Sequence, residues 1–153
     1  MQLSDVFLGL GDTGFAQLIR GISIGKLKTF QVYDAFKTRA HLPKVNTELL
    51  RKAAPRMHAR LQERDEDFAR DLAQAVLVSH LDMIGDVLDF LGIPHEGGFF
   101  NKDLDATAHL TPGWESRVFE QFRGKYPDAL LIFYINHLAW ELTKAEQPFA
   151  PAA

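Results

Sequence analysis

The hydrophobic and polar positions of residues 67–91 form the clearest pattern along this chain. Apolar side chains recur there at three- and four-residue spacings, and acidic and amide side chains occupy the opposite side. The apolar face carries Leu72, Val76, His80, Met83, Ile84, Val87 and Leu91. The polar face carries Asp71, Gln74, Asp82, Asp86 and Asp89. This pattern predicts one long amphipathic helix that ends at Gly92, with Pro94 behind it.

A second strong helix is predicted over residues 128–144, where the chain is apolar on nearly every side at its start. A helix with apolar residues all round is a buried one, so we expect it to be central. The other predicted helices cover residues 12–20, 23–40, 47–64 (kinked or restarted at Pro55) and 115–123. Together these patterns predict an all-α fold, a single compact bundle of five to seven helices.

The chain is predicted to form one helical domain over residues 1–146, followed by a flexible tail over residues 147–153. Between two of the predicted helices, residues 92–114 show neither helical nor strand periodicity. A connection of this length is unusual in a compact domain, and it is often a lid, a binding loop or a docking arm. We therefore expect any binding function to involve the 92–114 loop.

Composition narrows the class of protein. Hydrophobic residues make up 46% and charged residues 24% of the 153 residues, which is typical of a globular domain. The chain has no cysteine, which excludes disulfides, thiolate metal ligands and cysteine nucleophiles. Its longest apolar run, Ala129–Ile135, is far shorter than the roughly 20 residues that cross a bilayer as a helix. We expect a cytoplasmic protein with no membrane association.

The formal charge is divided along the chain. Residues 1–64 hold 11 Lys/Arg and 5 Asp/Glu, a formal charge of +6, whereas residues 65–146 hold 6 and 15, a formal charge of −9. Such a division indicates a nucleic-acid surface, a partner of opposite charge, or two halves that dock on each other. Because Pro55 interrupts the helix that would read DNA and the chain is acidic overall, nucleic-acid binding by the basic half is the least favoured interpretation.

Motifs for chemistry are weak. Gly9, Gly11 and Gly14 match the spacing of a dinucleotide-binding loop, but a parallel sheet is not predicted around them, so we interpret them as glycines that break and start short helices. The serines lack the surroundings of a nucleophile. The sequence therefore predicts no catalytic residue, no cofactor and no metal, and it favours a protein that is not an enzyme.

A ligand pocket is the alternative function. His137 and Glu141 lie one helical turn apart, which would place an imidazole and a carboxylate on one face. His80 on the apolar face of the 67–91 helix is a candidate to meet them, and His95 and Glu96 add polar groups from the loop. These five residues are the predicted lining of a small-molecule or metal pocket.

The leading prediction is a non-enzymatic interaction or regulatory protein. Its partner would be another protein or a second copy of the chain, engaged through charge-complementary surfaces and the 92–114 loop. The predicted partner-binding residues combine three aromatic side chains of that loop with three acids of the 67–91 helix: Phe99, Phe100, Trp114, Asp82, Asp86 and Asp89.

Overall fold

The computed structural model describes residues 1–22, 47–100 and 105–151, and over these residues it is helical, with no strand. Seven α-helices are present in this part of the chain: α1 (Leu3–Leu8), α2 (Gly11–Arg20), α3 (Thr47–Gln62), α4 (Glu66–Ser79), α5 (Leu81–Leu91), α6 (Trp114–Phe122) and α7 (Asp128–Leu138). The predicted all-α fold is confirmed. The predicted helix over residues 23–40 lies outside the described residues.

The long helix predicted over residues 67–91 is wrong, because the chain leaves helical geometry at His80 (φ −134°, ψ 40°). The Ser79 hydroxyl donates a hydrogen bond to the Ala75 carbonyl oxygen at 2.7 Å, a local contact that competes with the helical backbone pattern. The apolar periodicity continues across the break, so two helices give the same pattern as one.

The chain divides at this break into two compact units, the N-terminal unit (Gln2–Ser79) and the C-terminal unit (His80–Ala153). Their charges are +3, from 12 Lys/Arg and 9 Asp/Glu, and −6, from 5 and 11. The difference in formal charge between the two parts is therefore smaller when the chain is divided at Ser79 than when it is divided at residue 64. Units of this size also occur inside single domains, so the prediction of one domain over residues 1–146 stays a prediction.

In the N-terminal unit, α1 to α4 enclose a core that includes Phe7, Phe15, Ile19, Met57, Leu61, Phe68 and Leu72. Glu66, at the start of α4, fixes α1: its carboxylate accepts hydrogen bonds from the Leu3 backbone N–H at 3.1 Å and the Ser4 hydroxyl at 2.6 Å. The glycines follow a helix and not a strand, and Gly9 ends α1 and Gly11 begins α2 as predicted, whereas Gly14 lies inside α2. Helix α3 runs through Pro55 without a restart.

In the C-terminal unit, α7 is the most enclosed helix, as its sequence predicts, with nine of its eleven residues buried. Its continuation differs from the prediction, because residues Ala139–Thr143 form a wider π-helical turn. There the Thr143 hydroxyl donates a hydrogen bond to the Ala139 carbonyl oxygen at 2.7 Å.

The Asn136 side chain of α7 bonds to the backbone N–H (2.5 Å) and C=O (3.1 Å) of Phe149, within the segment predicted to be a flexible tail. Among the described residues, no helix is both long and apolar enough to cross a membrane.

Candidate functional site

A tight turn over residues 95–99, here called the Phe99 turn, is the best-defined feature of the predicted 92–114 loop. Glu96 and Phe99 exchange two backbone hydrogen bonds, at 2.8 and 3.0 Å. Gly98 has a φ of +92°, and a Cβ atom at this position would lie 3.2 Å from the Leu81 carbonyl oxygen. The turn therefore needs glycine at this position, both for its backbone angle and for its close approach to α5.

His95 holds the Phe99 turn with both of its ring nitrogens. Its Nδ1 accepts the Gly98 backbone N–H at 3.0 Å, so the proton of the neutral ring lies on Nε2, which donates to Asp89 Oδ1 at 2.7 Å. Gly85 on α5 lies against the ring, since a Cβ there would be 3.3 Å from the imidazole. His95, predicted to line a ligand pocket, is thus bonded within the C-terminal unit.

The Phe99 side chain is 61% exposed at the end of this turn. Phe100 is half-buried and Trp114 is buried, so Trp114 does not have the exposure that partner binding needs. Trp114 follows Gly113 and is the first residue of α6, whose apolar face turns toward the core. Phe90 was not predicted from the sequence as a candidate. It is 42% exposed and packs edge-on against Phe122. Its position beside Asp89, at the edge of the acidic face, could have indicated it.

The three predicted partner-binding acids of α5 have different surroundings. Asp86 accepts hydrogen bonds from the Tyr126 hydroxyl and from Lys125 Nζ, the latter at 2.9 Å. The Tyr126 bond, followed by the Lys125 bond, lowers the pKa of the Asp86 carboxyl, and the bond to Asp86 raises the pKa of Tyr126. Asp82 and Asp89 are exposed, although Asp89 also holds His95. Glu96 in the Phe99 turn is exposed as well.

His137 and Glu141 are close together, as their spacing predicts. His137 Nδ1 lies 3.7 Å from Glu141 Oε2, and the imidazole ring lies between Phe133 and Trp140 at centroid distances of 5.9 and 5.6 Å. This buried Nδ1 has no hydrogen-bond partner in the described part of the chain. Burial lowers the pKa of His137 from 6.5 to about 4 and, together with the charge of Glu141, raises the pKa of Tyr134. His137 is therefore a neutral, enclosed residue at pH 7.

The five predicted pocket residues are found in three separate settings. His80 is half-buried at the break between α4 and α5, His95 and Glu96 belong to the Phe99 turn, and His137 faces Glu141. Within residues 1–22, 47–100 and 105–151, no three His, Asp or Glu side chains are arranged to hold a metal ion.

A groove that sequence reasoning missed lies between α2 and α3, with a volume of about 270 Å³. Helix α2 contributes Asp12, Phe15 and Ala16 to its lining, and α3 contributes Ala54, Pro55, His58, Ala59 and Gln62. His58 Nδ1 lies 3.4 Å from Asp12 Oδ1, and its ring packs 5.4 Å from the ring of Phe15. The signal in the sequence was faint, because alanines at helical spacing are also ordinary helix formers.

No protein-family model, curated protein or solved structure matches this chain. The function is therefore argued from the chain's own residues.

Proposed function

We propose that this protein is a non-enzymatic interaction or regulatory protein, and that its C-terminal unit binds a basic surface of a protein partner with Phe99 as the apolar anchor. The observation that carries the proposal is the 61% exposure of Phe99 at the end of the Phe99 turn. Complete burial of an aromatic side chain stabilises a contact by about 1.5–3 kcal/mol, and buried aromatic side chains recur as anchors of protein interfaces.

The construction of the turn supports this role, because a single exposed aromatic side chain is by itself ordinary. Here the residue is held by the backbone bonds between Glu96 and Phe99 and by both ring nitrogens of His95. A side chain presented on a fixed backbone loses less conformational entropy on binding than one on a loose loop. The turn is therefore suited to present Phe99 to a partner.

Charge supports the choice of partner. The C-terminal unit has a formal charge of −6, and the exposed carboxylates of Asp82, Asp89 and Glu96 lie on α5 and the Phe99 turn. An acidic surface attracts a basic partner, accelerates its association and disfavours an acidic one, with an effect that weakens as salt rises. The partner surface expected here is basic at its edge and contains an apolar pocket for one aromatic ring.

Site-specific photocrosslinking in the organism of origin tests this proposal. A photoreactive phenylalanine analogue in place of Phe99 is expected to give one dominant covalent adduct, identified by mass spectrometry, whose crosslinked surface is rich in Lys and Arg. The matched control places the same analogue at Gln121, an exposed position on α6. Equal adducts from both positions, or none from position 99, would contradict the proposal, and an adduct between two copies would make self-association the function.

A further inference from the structure

We propose that the groove between α2 and α3 binds a small organic amine with a single-ring apolar body. The groove belongs to the N-terminal unit, whereas the proposed partner site belongs to the C-terminal unit, so the two proposals are independent. The inference rests on three features of the groove: its shape, the charge of Asp12 in its lining, and the placement of His58.

The shape of the groove comes from short side chains. Ala16, Ala54, Pro55 and Ala59 line it, and none of them extends far enough to fill the space between the two helices. The groove's volume of about 270 Å³ is just below the roughly 300–1,000 Å³ of ordinary small-molecule pockets, so it suits a compound no larger than a single ring. The Phe15 ring lies beneath this lining and is itself 1% exposed, so the apolar surface open to a ligand is mainly that of Ala16, Pro55 and Ala59, which favours a ligand with an apolar body.

The charge of the ligand follows from Asp12. Among the described residues that line the groove, it is the one with a full charge at pH 7 when histidine is neutral. One of its carboxylate oxygens faces His58 Nδ1 at 3.4 Å, and its side chain is 93% exposed, so it is accessible to a ligand. An ammonium group at this edge is attracted to the carboxylate, and an anion is repelled. Because Asp12 is exposed to water, we expect a modest preference for the cation.

The His58 side chain, which lines the groove, is held in place by its neighbours. Its ring is packed on Phe15 and its Nδ1 faces Asp12, while its buried Nε2 has no hydrogen-bond partner among the residues that the structure describes. Buried polar atoms of native proteins are nearly always completed, if not by protein then by water or by a bound group. The histidine therefore has an unused hydrogen-bonding atom in the ring that borders the groove.

The test compares three ligands with the same ring and different charges: phenethylamine, 2-phenylethanol and phenylacetate. Binding to the full chain is followed by amide chemical shifts in NMR titrations, and dissociation constants near the millimolar range are expected for molecules of this size. Phenethylamine should bind about two- to fivefold more tightly than the alcohol, which corresponds to an exposed ion pair, and phenylacetate should bind most weakly. Phenylacetate binding as tightly as the amine, or no shift with any of the three, would overturn the proposal.

Two variants locate the binding. Asp12→Asn keeps the shape of the side chain and removes its charge, so the amine should bind no better than the alcohol while the alcohol is unaffected. Ala59→Leu adds a side chain at an exposed position of the groove, and it should abolish the shifts caused by all three ligands. Gln17→Leu, at an exposed position of α2 outside the groove lining, adds similar apolar surface and should leave binding intact. Unchanged binding in Ala59→Leu would place the ligand elsewhere and refute the inference.

Discussion

His58 in the N-terminal unit and His137 in the C-terminal unit have one unusual feature in common, but their surroundings differ. Within residues 1–22, 47–100 and 105–151, each has a buried ring nitrogen with no hydrogen-bond partner. His58 borders an open groove and faces the exposed carboxylate of Asp12, whereas His137 lies between two aromatic rings with its side chain 8% exposed. The first ring lines a groove that is open to solvent, whereas the second ring is packed against two aromatic side chains. We therefore expect the first histidine to matter for the proposed ligand binding and the second to matter for the pH dependence of stability.

The largest expected effect concerns the phenylalanine beside each histidine. Phe133→Ala should destabilise the protein by about 3–5 kcal/mol, because Phe133 is fully buried and its removal leaves a closed cavity. Phe15 is 1% exposed and equally part of the core, but it also lines the groove, so water can enter the space that Phe15→Ala vacates and the loss should be smaller, toward about 3 kcal/mol. Urea unfolding followed by circular dichroism measures both free energies. A loss for Phe15→Ala that equals or exceeds the loss for Phe133→Ala would remove the distinction between the open and the enclosed site.

The two units also show which features of the structure could be predicted from the sequence. The periodicity of apolar residues predicts which faces are buried, so the all-α fold and the burial of α7 were predictable. The periodicity does not predict the break at His80, because the spacing of apolar residues continues through it. The break depends instead on the local hydrogen bond of the Ser79 hydroxyl and on packing. Irregular sequence around Trp114 indicates a loop without indicating exposure, which is why its burial was missed.

The groove could not be predicted for a different reason. It exists because alanines and a proline from two helices lie opposite each other, and the two helices are more than 25 residues apart in the chain. A gap between helices is a property of the pair, and neither helix alone contains it. By contrast, His137 and Glu141 were paired correctly, because their one-turn spacing is a local property of a single helix.

The next largest effect is the pH dependence caused by His137. Burial lowers its pKa from 6.5 to about 4 in the folded protein, so the unfolded chain takes up a proton first as pH falls. The free energy of unfolding therefore does not change through His137 above about pH 6.5. As pH falls from there to about 4, the protein progressively loses stability, by roughly 3 kcal/mol at most. Glu141 at 3.7 Å offsets part of the cost of the charged ring.

His137→Phe isolates this contribution. The variant keeps an aromatic ring and has no group that titrates, so its free energy of unfolding should change much less between pH 7 and pH 4.5 than that of the natural protein. The Asp86 carboxyl, whose pKa is lowered chiefly by its bond from Tyr126, loses its contribution only as pH falls through the acid range, and it does so equally in both proteins. Parallel pH profiles for the two proteins would contradict the enclosed, neutral state of His137.

The smallest expected effect concerns Asp12, the partner of the open histidine. Asp12→Asn should change the free energy of unfolding by less than about 0.5 kcal/mol, because the carboxylate that faces His58 is 93% exposed and its interaction is weakened by water and salt. Asp67→Asn is a matched control in the same unit, since Asp67 is equally exposed and faces Arg70 at 3.6 Å. If Asp12→Asn alone cost more than about 1 kcal/mol, the Asp12–His58 pair would be holding α2 to α3 and the groove would be a by-product of stability. A small change, combined with loss of the preference for amines, would separate the binding role of Asp12 from any structural one.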